Sequence, residues 1–122
     1  MNKLFDVLAT IKSLEKLKKE TEKLKEHSQK TIEILSGTYL WYLQNGNVSC
    51  AIIIASEINK INSDVIDFYC TLISRCDMYI QELKDLIIKN SSDEICIENI
   101  KRIDGEIEKL LDDQKKALTN KE

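Results

Sequence analysis

Proline is absent from this 122-residue chain, and glycine occurs only at positions 37, 46 and 105. Nothing therefore rigidly interrupts a long helix, whereas an all-β domain of this length would need many turn residues. Apolar residues make up 43% of the chain and the net charge is −3, a composition typical of an ordered globular protein. These features predict a single all-α domain over residues 1–122.

Apolar residues spaced by three and four predict three helices, over about residues 3–44, 48–90 and 92–118. The second helix carries the longest stripe, which consists of Ala51, Ile54, Ile58, Ile61, Val65, Phe68, Leu72, Cys76, Tyr79, Leu83 and Leu86. Ser91 and Glu94 have the spacing of a capping box, so the third helix should begin near residue 92.

Residues 34–56 contain no charged side chain, although 32% of the chain is charged. Asn45-Gly46 lies at the centre of this segment, between runs rich in Tyr, Trp and Ile, and is a strong β-hairpin signal. The helical stripe of the second helix continues back to Ala51, which favours a helical hairpin. In that interpretation Gly46 adopts the left-handed conformation after the first helix and Asn47 caps the second.

Helix lengths predict an elongated molecule. A first helix of about 42 residues would be ~63 Å long, more than a compact globule of this mass would span. The third helix is shorter and would cover the second only back to about Asp64. The expected fold is an antiparallel up-down-up three-helix bundle with coiled-coil character and a projecting two-helix hairpin tip.

The charge-free segment would lie in this projecting tip. Two helices cannot bury consecutive large apolar residues, because consecutive side chains point all round a helix. We therefore predict an interface, called the tip surface, made of Tyr39, Leu40, Trp41, Tyr42, Ile52 and Ile53. The alternative is a bend at residues 36–38 that folds the tip back onto the bundle.

An exposed apolar tip predicts a non-enzymatic binding protein. It could bind a helical segment of another protein, as an adaptor, chaperone, immunity protein or inhibitor would, or a second copy in a homodimer. The weaker alternative is a membrane-interacting or pore-forming hairpin, since Trp and Tyr favour membrane interfaces. Polar Gln44, Asn45 and Asn47 at the apex, and the lack of flanking basic residues, count against it.

Enzyme chemistry finds little support in the sequence. His27 is the only histidine and the cysteines have no CxxC spacing, so no metal site or cofactor is expected. A second alternative is an all-α nucleotide hydrolase binding Mg²⁺ through Glu57, Asp64 and Asp67. Residues 1–35 combine eight lysines with six acidic residues, and this mixture argues against nucleic-acid binding.

The expected location is the cytoplasm. The N-terminal residues lack the apolar core and the cleavage site of a secretory signal. Four cysteines, at positions 50, 70, 76 and 96, lie in apolar helical segments, which suits a reducing compartment. The abundance of Ile, Lys and Asn suggests AT-rich coding, as in a bacterium or its phage.

Overall fold

The described residues, 3–120 of the computed structural model, are almost entirely helical, which confirms the all-α class. Helix α1 spans Lys3–Gln44, α2 spans Val48–Lys60, and α3 spans Asp67–Ile88. A π-helical segment, Ile61–Ile66, joins α2 to α3, and α4 spans Asp93–Asn120. Residues 1, 2, 121 and 122 of the predicted domain lie outside the described residues; the up-down-up arrangement and the projecting tip remain predictions.

The chain divides into two compact units. The first, called the three-helix unit, comprises Met1–Thr21 and Leu72–Glu122, and so contains the start of α1, most of α3 and all of α4. The second, called the hairpin unit, is Glu22–Thr71 and contains the rest of α1, α2 and the π-helical segment. Helices α1 and α3 each contribute residues to both units.

The three-helix unit holds most of the core. Apolar side chains from all three of its helical segments are buried there, namely Val7, Ile11, Leu14, Leu72, Cys76, Tyr79, Ile80, Leu83, Cys96 and Ile103. Thr21 is also buried, and its hydroxyl donates to the Leu17 carbonyl at 2.7 Å, as a buried polar group requires. At the surface of this unit, Lys18 of α1 forms an ion pair with Asp77 of α3 at 2.6 Å.

The turn between α1 and α2 is a helical connection, so the β-hairpin alternative is wrong. The Asn47 N–H donates to the Tyr42 carbonyl and the Gly46 N–H to the Leu43 carbonyl, at 2.9 and 3.2 Å. This pair of bonds, with Gly46 at a φ of +75°, is a Schellman motif. Asn47 then caps α2, because its side-chain oxygen accepts from the Cys50 N–H at 3.2 Å. Both roles predicted for Gly46 and Asn47 are confirmed.

The cap of α4 is one residue later than predicted. The hydroxyl oxygen of Ser92 accepts the Ile95 N–H at 3.4 Å, so Ser92 occupies the cap position assigned to Ser91. The displacement follows from the preceding turn, where Asn90 adopts a φ of +51° and the Ser91 N–H donates to the Leu86 carbonyl at 3.1 Å. Ser91 thereby completes the end of α3 and cannot begin α4.

The second predicted helix contains a break in phase that the apolar stripe did not reveal. The Asp67 N–H donates to the Asn62 carbonyl, five residues earlier, which is the π-helical spacing. This wide turn accommodates one extra residue, and Ile66 is buried while the predicted stripe residue Val65 is only half-buried. Helix α1, by contrast, is helical through Gly37, so it has no helix break at the predicted bend, residues 36–38.

Replacement of Gly46 by alanine should destabilise the protein by about 1 kcal/mol, because a Cβ is strained at this positive φ. Gly105 provides the matched control, since it lies inside α4 with no atom within 4 Å of an added Cβ. Gly105→Ala should stabilise the protein by up to about 1 kcal/mol. Urea denaturation followed by circular dichroism measures both, and equal signs would contradict the expectation.

Candidate functional site

The hairpin unit buries few large side chains. Of its apolar residues, only Ala51 and Ile66 are fully buried. Eight large apolar side chains of the same unit are exposed, namely Leu24, Ile34, Leu40, Trp41, Leu43, Val48, Ile52 and Ile53. Full burial of a side chain of this size is worth roughly 1.5 to 3 kcal/mol, so each partly exposed one forfeits a share of that free energy. Such a concentration marks this unit as the candidate site.

Four of the six predicted tip-surface residues are exposed. The exposed fractions are 54% for Leu40, 58% for Trp41, 63% for Ile52 and 62% for Ile53. Tyr39 and Tyr42 are half-buried, so the turn and the neighbouring side chains cover part of each ring. The Tyr42 ring meets the Trp41 ring edge to face, with centroids 5.3 Å apart, and so supports the exposed indole.

Local hydrogen bonds restrain the backbone that carries the exposed indole. The Trp41 carbonyl accepts the Asn45 side-chain N–H at 2.7 Å and the Asn45 backbone N–H at 3.1 Å. Asn45 thus closes the last turn of α1 directly beneath the indole-bearing residue. Because the Schellman turn follows at once, the end of α1 that carries Trp41 is held by several backbone hydrogen bonds.

The exposed side chains cover more than one face of the hairpin. Leu40 and Trp41 are consecutive and point about 100° apart on α1, as do Ile52 and Ile53 on α2. Ala51, which precedes them, is buried and marks the side of α2 that packs within the hairpin. A flat partner surface could therefore cover only part of the tip surface.

Sequence reasoning missed three exposed residues of the charge-free segment, Ile34, Leu43 and Val48. Ile34 lies two turns before Trp41, and this spacing puts both on one edge of α1. The signal was present in the sequence, because all three belong to residues 34–56. Their exposure could not be separated from burial without knowing which edge of each helix faces its neighbour.

Two of the three carboxylates of the hydrolase hypothesis have side-chain partners. Glu57 forms an ion pair with Lys60 at 3.6 Å, and Asp64 accepts a hydrogen bond from the Ser63 hydroxyl at 3.2 Å. Among residues 3–120, no group of three or more His, Cys, Asp and Glu side chains is arranged to hold a metal ion. In the same residues, no helix is both long and apolar enough to cross a membrane.

A polar cluster joins α3 to α4 in the three-helix unit. The buried Tyr79 hydroxyl donates to Oε2 of Glu106 at 2.5 Å, and Arg102 contacts Glu82 and the other Glu106 oxygen, the latter at 3.2 Å. Burial, and secondarily the bond to Glu106, raises the pKa of Tyr79; the same bond lowers the pKa of Glu106. A cleft of about 330 Å³ beside them is lined by Arg75, Tyr79, Glu106, Lys109, Leu110 and Asp113.

Replacement of Tyr79 by phenylalanine should lower stability at neutral pH, because it removes the donor to the Glu106 carboxylate. The lowered folded-state pKa of Glu106 means that this stabilisation is present above its usual pKa of 4.5 and is lost as pH falls through the folded value. The urea midpoints of wild type and Tyr79→Phe should therefore converge in acid.

The control is Tyr69→Phe, since Tyr69 is half-buried and has no hydrogen-bond partner within residues 3–120. Its midpoint should differ from wild type by an amount that does not change between neutral and acid pH. A Tyr79→Phe difference that stays constant with pH would show that Glu106 does not mediate the effect.

Comparison with protein-family models, with curated proteins and with solved structures finds no match for this chain.

Proposed function

We propose that this protein is a non-enzymatic binding module that recognises a partner protein, or a second copy of itself, through the tip surface. The observation that carries the proposal is the exposure of Leu40, Trp41, Ile52 and Ile53 in a segment without charge. Aromatic and aliphatic side chains of this kind form the centres of protein interfaces. An adaptor, chaperone, immunity protein or inhibitor would act in this way.

In self-association, the partner surface is the hairpin unit of a second copy of the protein. A charged group placed against the charge-free segment would lose its water without gaining a partner, so the surface opposite must also be apolar. A second hairpin unit presents such a surface, and two hairpins side by side would form the core of a four-helix arrangement. In this proposal the protein is a cytoplasmic homodimer, and its four free cysteines suit a reducing compartment.

The test is the concentration dependence of the wild-type protein. Trp41 is the only tryptophan, so its fluorescence reports on the tip surface alone. Sedimentation velocity should show a transition to dimer as concentration rises, and iodide quenching of Trp41 should fall in parallel. A monomer whose Trp41 is already shielded from iodide would refute the proposal, because the tip surface would then be covered within one chain.

The membrane alternative predicts a different result in the same assay. Trp41 would then stay accessible to iodide at every protein concentration and would become shielded only on addition of anionic or zwitterionic liposomes. Co-sedimentation with those liposomes would have to disappear in the Trp41→Asp variant. That combination would replace protein binding by membrane binding as the function of the tip surface.

A further inference from the structure

The three-helix unit has a second partly apolar surface, and none of its residues belongs to the tip surface. A groove of about 410 Å³ lies between α1 and α3 and is lined by Leu8, Ile11, Lys12, Glu15, Lys84 and Ile87. It is called the α1–α3 groove here. Leu8 is 50% exposed, and Leu4, Phe5 and Ile88, which are neighbours of the lining residues in sequence, are exposed as well. Leu8 therefore offers an exposed apolar side chain within this groove.

Helix α4 does not fill the groove. It meets α3 through Tyr79 and Glu82, which contact Glu106 and Arg102. Glu82 and Lys84 are two residues apart on α3, so their side chains point about 200° apart. Lys84 is thus turned away from the Arg102 contact, and no described side chain of α4 lines the groove. A fourth helix of a bundle would occupy this position.

The charged residues that line the groove indicate which charges a bound ligand should carry. Lys12 stands on the α1 wall and Lys84 on the α3 wall, and neither has an ion-pair partner within residues 3–120. Glu15 is the one acidic lining residue. The apolar lining residues are Leu8, Ile11 and Ile87, of which Leu8 is the most exposed. The groove therefore combines apolar lining residues with one lysine on each wall, and the α1 wall also carries the acidic Glu15.

We infer that the α1–α3 groove binds an amphipathic helix of another protein, with an apolar stripe that packs on Leu8, Ile11 and Ile87. Acidic residues on both edges of that stripe meet Lys12 and Lys84, which places opposite charges along each wall. A basic or neutral residue of the ligand faces Glu15. The protein then has a second binding surface with a charge preference, whereas the tip surface has none.

The experiment uses the full chain as bait for a displayed library of amphipathic helices. Each library member has a fixed leucine stripe, and its flanking positions vary among Glu, Gln and Lys. Selection should enrich Glu at the flanks on both sides of the stripe. The affinity of an enriched peptide is then measured by fluorescence anisotropy with the wild type and with variants whose far-ultraviolet spectra and melting temperatures match it.

Reversal of both wall charges, Lys12→Glu with Lys84→Glu, should weaken the enriched peptide about tenfold or more and should favour a peptide with lysine flanks. Leu8→Asp should abolish binding. The matched control, Lys101→Glu with Lys115→Glu, changes the net charge equally at exposed positions of α4 and should alter the affinity less than twofold. Trp41→Asp should leave it unchanged.

Four results would overturn the inference. One is a selection that enriches no flanking charge or enriches lysine. Another is equal weakening by the groove pair and the α4 pair, which would show a general charge effect. The third is loss of peptide binding in Trp41→Asp with retention in Leu8→Asp, which would place the peptide on the tip surface. The fourth is assembly beyond the dimer without peptide that is lost in Leu8→Asp, which would assign the groove to a second copy through a heterologous contact.

Discussion

Trp41→Asp should weaken self-association at least a hundredfold, ~3 kcal/mol, and should leave the helix content and melting temperature close to those of wild type. The indole is 58% exposed in the single chain, so little intramolecular burial is lost. In the dimer it would be buried, and the aspartate would bring a charge into an apolar contact without a partner. Analytical ultracentrifugation over a wide concentration range measures the change in dissociation constant.

Met78→Asp is the matched control for that variant. Met78 is also a large exposed apolar residue, but it belongs to the three-helix unit. The same added charge at this position should leave the dissociation constant within about twofold of wild type, as expected for a residue outside an interface. If both variants weaken association equally, the effect comes from net charge and the tip surface is not the interface. Unfolding of Trp41→Asp would show that the indole supports the fold.

Leu83→Ala should lower the free energy of unfolding by about 3 to 5 kcal/mol, the largest stability effect expected for one substitution in this chain. Leu83 is completely buried in the three-helix unit, between Tyr79 and Ile87 on the same side of α3. Truncation removes its transfer free energy and leaves a cavity in a close-packed interior. Because domains of this size are stable by only about 5 to 15 kcal/mol, the urea midpoint should fall sharply.

Leu111→Ala is the control, because it removes a leucine side chain that is not buried. Leu111 lies on α4 and is exposed, so the same truncation should cost less than about 1 kcal/mol. Equal effects of the two substitutions would mean that Leu83 is not in a packed core. The cost at Leu83 should also be the same at low and high protein concentration, since the residue is buried within the single chain.

Most helix boundaries could be predicted from local patterns. The C-terminal end of α1 and the start of α2 follow from three adjacent residues, Asn45, Gly46 and Asn47. Each acts on backbone groups within four residues of the turn. The start of α4 was misplaced by one residue because Ser91 and Ser92 are both good caps. The left-handed Asn90 decided between them, and its conformation depends on how α3 ends.

The sequence predicted the candidate site only in part, because exposure of a side chain depends on which other segments pack against it. A run such as residues 39–43 must expose some side chains on a two-helix hairpin, and the sequence alone establishes that requirement. It does not establish which side chains are exposed. Leu40 and Trp41 are exposed while Tyr39 and Tyr42 are half-buried, although all four belong to the same run of consecutive residues.

The sequence by itself determined the helical class, the helical hairpin turn and the existence of a charge-free, incompletely buried segment, since each depends on spacing within a few residues. Only the tertiary structure decided the phase change at Ile61–Ile66, the bond between Tyr79 and Glu106, and the α1–α3 groove between Leu8 and Ile87. These features join side chains far apart in the chain, or adjust one helix to its neighbours. Periodicity within a single helix carries no information about which neighbour it meets.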